Sequence, residues 1–137
     1  MRWLELGLTI ILLYIVYLTL RDELEWFQQR DPLLDTLRSE LSVLHPKLEN
    51  IELFVDDKSY TLNKRRVFVC MKDSQGRYYH RNMLAYVICH EYAHILCHEI
   101  DHTPRFFEIF HDLLERAAER GLYDPNIPPL TDYCGHE

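Results

Sequence analysis

No two cysteines in this 137-residue chain stand three positions apart, so the CxxC pairs of a zinc ribbon are excluded. The four that exist, Cys70, Cys89, Cys97 and Cys134, are scattered. On one helix Cys89 and Cys97 would lie about 12 Å apart along the axis, too far to bridge. The expectation is free buried thiols in a reducing compartment, with the domain on the cytoplasmic side of a membrane. Cys134 beside His136 can be read as a metal-binding or regulatory pair, but a loose C-terminal tail is the plainer reading. Positive charge is also short: 15 Lys and Arg against 22 Asp and Glu leave a formal net charge of −7. Phosphate binding needs a basic face, so direct contact with nucleic acid is not expected. The one basic cluster, Lys58, Lys64, Arg65 and Arg66, reads as an exposed hairpin. Internal repeats and low-complexity stretches are missing too, which leaves one small globular domain plus an extension.

The extension is apolar. No charge occurs between Leu6 and Leu20. Counted from Trp3, about 18 residues give roughly 27 Å of helix, enough to cross a bilayer with little tilt. Trp3, Tyr17 and Trp26 are placed to sit near the interfaces, and Arg2 and Arg21 flank the run. No small-x-small site follows it, which disfavours a cleaved signal peptide. A helix apolar on every face suits lipid better than a small core. The expectation is a single-pass membrane anchor over 1–21, a helical linker over 22–48 and a folded domain over 49–137. The flanking arginines do not decide the orientation.

Asp31-Pro32 is a helix start, and Leu33, Leu34, Leu37, Leu41 and Leu44 recur at helical spacing until Pro46. Residues 51–55 and 67–71 read as strands. Asn63-Lys64 and Asp73 to Gly76 are turn signals, with Tyr60-Thr61-Leu62 and Tyr78-Tyr79 as their neighbours. Asn82 is placed to cap a helix of about 17 residues. A last helix is predicted from Pro104 to Arg120, stopped by Gly121, with Phe107, Phe110, Leu113, Leu114 and Ala117 closing the core. The tail beyond Tyr123 reads as irregular, lying across the domain as a wall of a cleft. The predicted fold class is α+β: a small antiparallel sheet packed on two helices behind the N-terminal membrane helix.

Residues 90–94 read His-Glu-Tyr-Ala-His, the HExxH pattern. Four residues apart on a helix, His90 and His94 project from one face and reach a single zinc ion. Glu91 is placed to act as general base toward an activated water. His102 follows at a helix-to-helix turn before Thr103-Pro104, where a third ligand can fold back over the metal. Continuing along the helix, His98 is rotated about 40° from His94, which makes it a poorer third ligand. A carboxylate or His111 on the next helix remains an alternative. Tyr123, Tyr133, His111 and His136 are all candidates to stabilise an oxyanion. Asp101, Asp112 and Glu115 are candidates to orient a ligand imidazole.

The stretch NMLAYVICHEYAHILCHEIDHTPRFFEIF, residues 82–110, resembles the active-site segment of the WLM/SprT-like zincins, small gluzincin-like HExxH zinc metallopeptidases. It is similar in particular to compact versions of the domain carried by large DNA viruses. The resemblance runs from about Tyr60 to Gly121. It implies zinc bound by His90, His94 and His102, Glu91 as general base, and an aromatic residue, Phe106 or Phe107, opening the next helix. His102 follows His94 by eight residues, a longer turn than is usual in the family. Family members with known roles digest proteins crosslinked to DNA using attached DNA-binding or ubiquitin-related regions. The resemblance therefore carries over the zinc chemistry and not that role. The expected function is a membrane-anchored zinc peptidase acting on a protein or peptide substrate. The alternative is a catalytically silent zinc-binding interaction module at a membrane.

Overall fold

The computed structural model of the chain describes residues 1–28 and 30–135. It divides into two compact units, Met1–Arg30 and Asp31–Glu137. The first is one helix, α1 (Arg2–Gln28). Its stretch Arg2–Glu25 is long and apolar enough to cross a membrane. The two threonines in the apolar run return their hydroxyls to the helix, Thr9 to the Glu5 carbonyl at 2.8 Å and Thr19 to that of Ile15 at 2.5 Å. A helix without water around it needs its polar side chains satisfied in this way.

The second unit begins at Asp31, three positions after α1 ends. Its carboxylate caps α2 (Pro32–Leu41) by accepting from the Leu33 N–H at 2.8 Å, and Pro32 occupies the first turn. Leu34, Leu37 and Leu41 fall on one face and are buried, and two short 3₁₀ turns after α2 add Leu44 and Leu48 to the same core. Residues 31–48 are thus part of the domain rather than a linker, and the boundary lies at 30/31 instead of 48/49. The leucine stripe needs a partner surface, and the sheet and the helix over Arg81–Leu96 provide it. Arg38 fixes the way out of this segment, donating to the Ile51 carbonyl at 2.8 Å and to that of Glu49 at 3.3 Å.

Three strands follow, β1 (Glu52–Val55), β2 (Tyr60–Leu62) and β3 (Arg66–Val69), in the order β1-β3-β2. β2 and β3 form a hairpin whose turn residues Asn63 and Lys64 both have positive φ, 53° and 54°, the backbone twist a tight hairpin needs. The sheet is not wholly antiparallel as expected: β1 pairs parallel with β3, Glu52 opposite Arg66. Turn residues announce a local hairpin, but they do not say which strand an earlier one will join. Here β3 enters between its two predecessors and leaves β2 at the edge.

α3 (Arg81–Leu96) crosses the sheet and is buried on most sides. His80, not Asn82, caps it, its Nδ1 accepting from the Asn82 N–H at 3.2 Å. Asn82 is instead buried and clamps Asp124, accepting from its N–H at 2.6 Å and donating to its carbonyl at 3.1 Å. α4 (Pro104–Glu119) is capped by Thr103 and followed by Gly121 at φ 71°. It buries Phe106, Phe110, Leu113 and Ala117, while Phe107, expected inside, is 44% exposed. The face that meets α3 starts one residue earlier than the simple apolar count indicates.

The tail is irregular but not loose. Cys134 forms a disulfide with Cys70, Cα atoms 6.4 Å apart, and Tyr133 is buried beside it. Only Cys89 and Cys97 are free thiols, both buried. Two of the four thiols expected to be free are therefore bonded to each other, and the cysteines give no ground for placing the domain in a reducing compartment. The Cys134 sulfur is also committed to the disulfide, and His136 lies outside the described residues.

If α2 is core, Leu37→Ala should cost about 2–5 kcal/mol in urea unfolding. Val43→Ala, at an exposed position of the same segment, should stay within about 0.5 kcal/mol. Equal effects of the two would return residues 31–48 to the status of a linker.

Candidate metal centre

The chemistry gathers where the C-terminal half of α3 meets the turn before α4. His90 and His94 project from one face of α3, with ring centroids 5.0 Å apart. The helix stops at Leu96, and Lys64 from the hairpin donates to the Cys97 carbonyl at 2.8 Å, covering the helix end. The chain then turns back through Asp101, which holds φ at 71°, a left-handed conformation unusual for a side chain with a Cβ. That reversal sets His102 over the helical pair. Its Nε2 lies 3.2 Å from the Nε2 of His90 and 3.2 Å from that of His94.

Three ring nitrogens converging on one point pose a question of occupancy. His102 Nε2 carries at most one proton, so it cannot satisfy both neighbours by hydrogen bonding. A cation satisfies all three lone pairs together. An ion held at about 2.0–2.1 Å by two tetrahedral ligands separates their nitrogens by about 3.3 Å, close to the 3.2 Å found here. The donor set therefore fits a metal ion, and all three ligand nitrogens lie within 4.8 Å of one another. Burial, with the neighbouring His94 and His102, pushes the His90 imidazole down to about 4. His94 is lowered by burial and by His102, with Asp101 acting against the shift. Neutral imidazole is the form a metal needs.

Phe106 packs against all three rings, at 4.4 Å from His94, 4.9 Å from His102 and 5.1 Å from His90, and Phe110 meets His90 at 5.3 Å. Of the two aromatic residues expected to open α4 beneath the site, Phe106 takes that position. Glu91 points from α3 toward the sheet and is only 7% exposed. Its Oε2 accepts from the Thr61 hydroxyl at 2.7 Å, and the same hydroxyl lies 3.4 Å from the Glu91 carbonyl oxygen. Burial pushes the Glu91 carboxyl up, and the Thr61 bond pulls it part of the way back.

Thr61 escapes a reading of the sequence, because nothing local to Tyr60-Thr61-Leu62 points thirty residues ahead. Of the other candidates, no His, Asp or Glu among the described residues joins the converging group. His98 and His111 are exposed and outside the converging group, and Asp112 is paired with Arg116 at 3.0 Å. Glu115 is exposed on α4. Asp101 acts on His94 through its charge. Tyr133 donates to the Cys70 carbonyl at 2.6 Å, and burial pushes its phenol up to about 12. Tyr123 packs near Tyr86, ring centroids 6.3 Å apart.

No family model matches the chain and no solved structure matches it. It is similar to viral proteins. It is 44% identical over 86 residues to an uncharacterised protein of Invertebrate iridescent virus 3, covering 62% of this chain and 54% of that one. It is 41% identical over 99 residues to an uncharacterised protein of Invertebrate iridescent virus 6, covering 69% and 56%. A third, an uncharacterised protein of Acanthamoeba polyphaga mimivirus, is 29% identical over 123 residues, covering 85% and 60%. The chain thus spans rather more than half the length of these relatives.

A metal bound only by the native fold stabilises it. At about 100 times its Kd it should add about 2.7 kcal/mol, read as a rise in thermal midpoint. In His102→Ala the rise should shrink to a small fraction. A full rise in that variant would place the third ligand elsewhere.

Proposed function

We propose that this chain is a zinc-dependent metallopeptidase of the WLM/SprT-like kind, held at a membrane by α1. The supporting observation is the convergence of His90, His94 and His102 beside a buried carboxylate one position along the same helix. Three neutral imidazoles are the ligand set of an open catalytic zinc site, with a fourth position left for a water or a substrate. Zinc supplies Lewis acidity there, toward a peptide carbonyl and toward water.

The rest falls to the chain's own residues. Glu91 Oε2 is occupied by the Thr61 hydroxyl, which leaves Oε1 to take a proton from the attacking water and return it to the leaving amine. The raised position of its carboxyl suits that exchange, since a base must also be able to release the proton. Phe106 and Phe110 hold the imidazoles and keep water from their inner side. β2 stands at the edge of the sheet with Thr61 on it. An extended peptide adding to that edge runs past Glu91, which favours a polypeptide substrate.

α1 gives the enzyme a membrane address. The candidate span Arg2–Glu25 has its uncharged run, residues 6–20, at the centre and charged residues toward both ends, the pattern of a segment that crosses a hydrocarbon core of about 30 Å.

Glu91→Gln tests the catalytic part of this reading. It should keep one metal per chain and lower cleavage of an unfolded protein substrate by about 10²–10⁴-fold. A wild-type protein fully loaded with zinc that cleaves nothing would instead leave a zinc-binding interaction module.

A further inference from the structure

The C-terminal strap is tied to the sheet at a point two residues from Thr61. The Cys70 N–H donates to Ser59 Oγ at 2.9 Å, Ser59 Oγ meets the Tyr133 hydroxyl at 2.6 Å, and that hydroxyl donates to the Cys70 carbonyl at 2.6 Å. The three groups close a ring of hydrogen bonds, sealed by the Cys70–Cys134 disulfide next to it. Ser59 leads directly into β2, whose Thr61 holds Glu91. Tyr133 also shares a small buried cluster with Cys70, Met83 and Val87, the last one turn before Glu91 on α3. The metal ligands have a separate support, the aromatic floor of α4.

We propose that the Cys70–Cys134 disulfide is a redox switch that positions Glu91, acting through Tyr133, Ser59 and Thr61, while leaving the histidine triad in place. The proposal rests on the metallopeptidase reading for its effect on cleavage, but the structural coupling stands apart from it. Tyr133 and Thr61 are positioning residues in this scheme.

The strap is suited to release. Cys134 holds φ at 49°, a left-handed backbone that a residue with a Cβ leaves when freed. Residues 124–132 are exposed, and their polar anchors are Asn82 at Asp124 and the Met83 sulfur at the Leu130 N–H. Segments with so few buried contacts open locally at low cost. Cys134 is the more accessible of the two bridged residues, while Cys89 and Cys97 are fully buried and stay out of exchange.

A dithiol supplies the electrons. One of its thiolates bonds to Cys134 Sγ as the Cys70–Cys134 bond breaks, and Cys70 leaves as a thiolate that takes up a proton. The second thiol then displaces Cys134, which is protonated in turn. Two electrons pass to the protein, and the reductant ends as a disulfide. Tyr133 then leaves its ring, the start of β2 loses its tie, and Thr61 no longer fixes the Glu91 carboxylate.

The test compares full-length, zinc-loaded protein in three forms: oxidised, reduced with dithiothreitol, and Tyr133→Phe with the disulfide intact. Zinc content, amide hydrogen exchange over 59–62 and cleavage of an unfolded protein are measured on each. Reduction should keep one zinc, speed exchange over 59–62 and lower kcat by about 10- to 100-fold, reversibly on reoxidation. Tyr133→Phe should move exchange and kcat the same way, more weakly. Unfolding on reduction would overturn the switch, since the triad would not stay in place, and the Tyr133→Phe form would then test only the coupling of Tyr133 to Glu91. Unchanged exchange over 59–62 and unchanged cleavage in the folded forms would overturn the proposal. Faster exchange over 59–62 in a protein that never cleaves would uphold the coupling and remove the peptidase.

Discussion

Burying a helix that carries two imidazoles and a carboxylate is the constraint around which this domain is arranged. α3 is enclosed by the sheet, α2 and α4, and its apolar positions account for that. His90, Glu91 and His94 would be costly guests in such a setting without partners. Each has one. Thr61 from the edge strand meets the carboxylate, while His102 from the turn meets both imidazoles. The remaining demand, three nitrogen lone pairs facing one another, is one that a cation meets and a proton does not. The left-handed Asp101, the lysine over the end of α3 and the phenylalanine floor all serve that convergence.

The pieces of the site come from different distances along the chain, and this decides how much of it can be read from sequence. His90, Glu91 and His94 are fixed by helical geometry alone, so their spacing suffices. His102 needs only a turn, and Thr103-Pro104 marks where that turn must end. Thr61 belongs to a pairing across thirty residues, and a short strand of Tyr-Thr-Leu carries no mark of it. The same distinction holds for the fold. The leucines of α2 reveal a helix with one apolar face, but not that this face is indispensable to the core.

Spacing along the chain does not reveal the pairing of Cys70 with Cys134, nor does a place before an apolar run reveal the role of Asn82. Cys70 and Asn82 are both claimed by residues 124–134, where three prolines and a weak apolar pattern predict no regular structure. An irregular segment is held by individual bonds, to Asn82, Met83, Tyr79 and Cys70. Such bonds have no periodicity. Composition can forecast that a tail is irregular, but not that it is fastened.

The disulfide also has a consequence for the chain before it folds. Its two ends are separated by 64 positions, and the span between them contains His90, His94, His102 and both helices of the site. In the unfolded ensemble all three imidazoles therefore travel on one closed loop, whose closure removes about 4 kcal/mol of chain entropy in the simple loop treatment. Ligands confined to a common ring meet more often than ligands on an open chain. The bridge thus keeps the three imidazoles on one ring whether or not β1 has paired with β3.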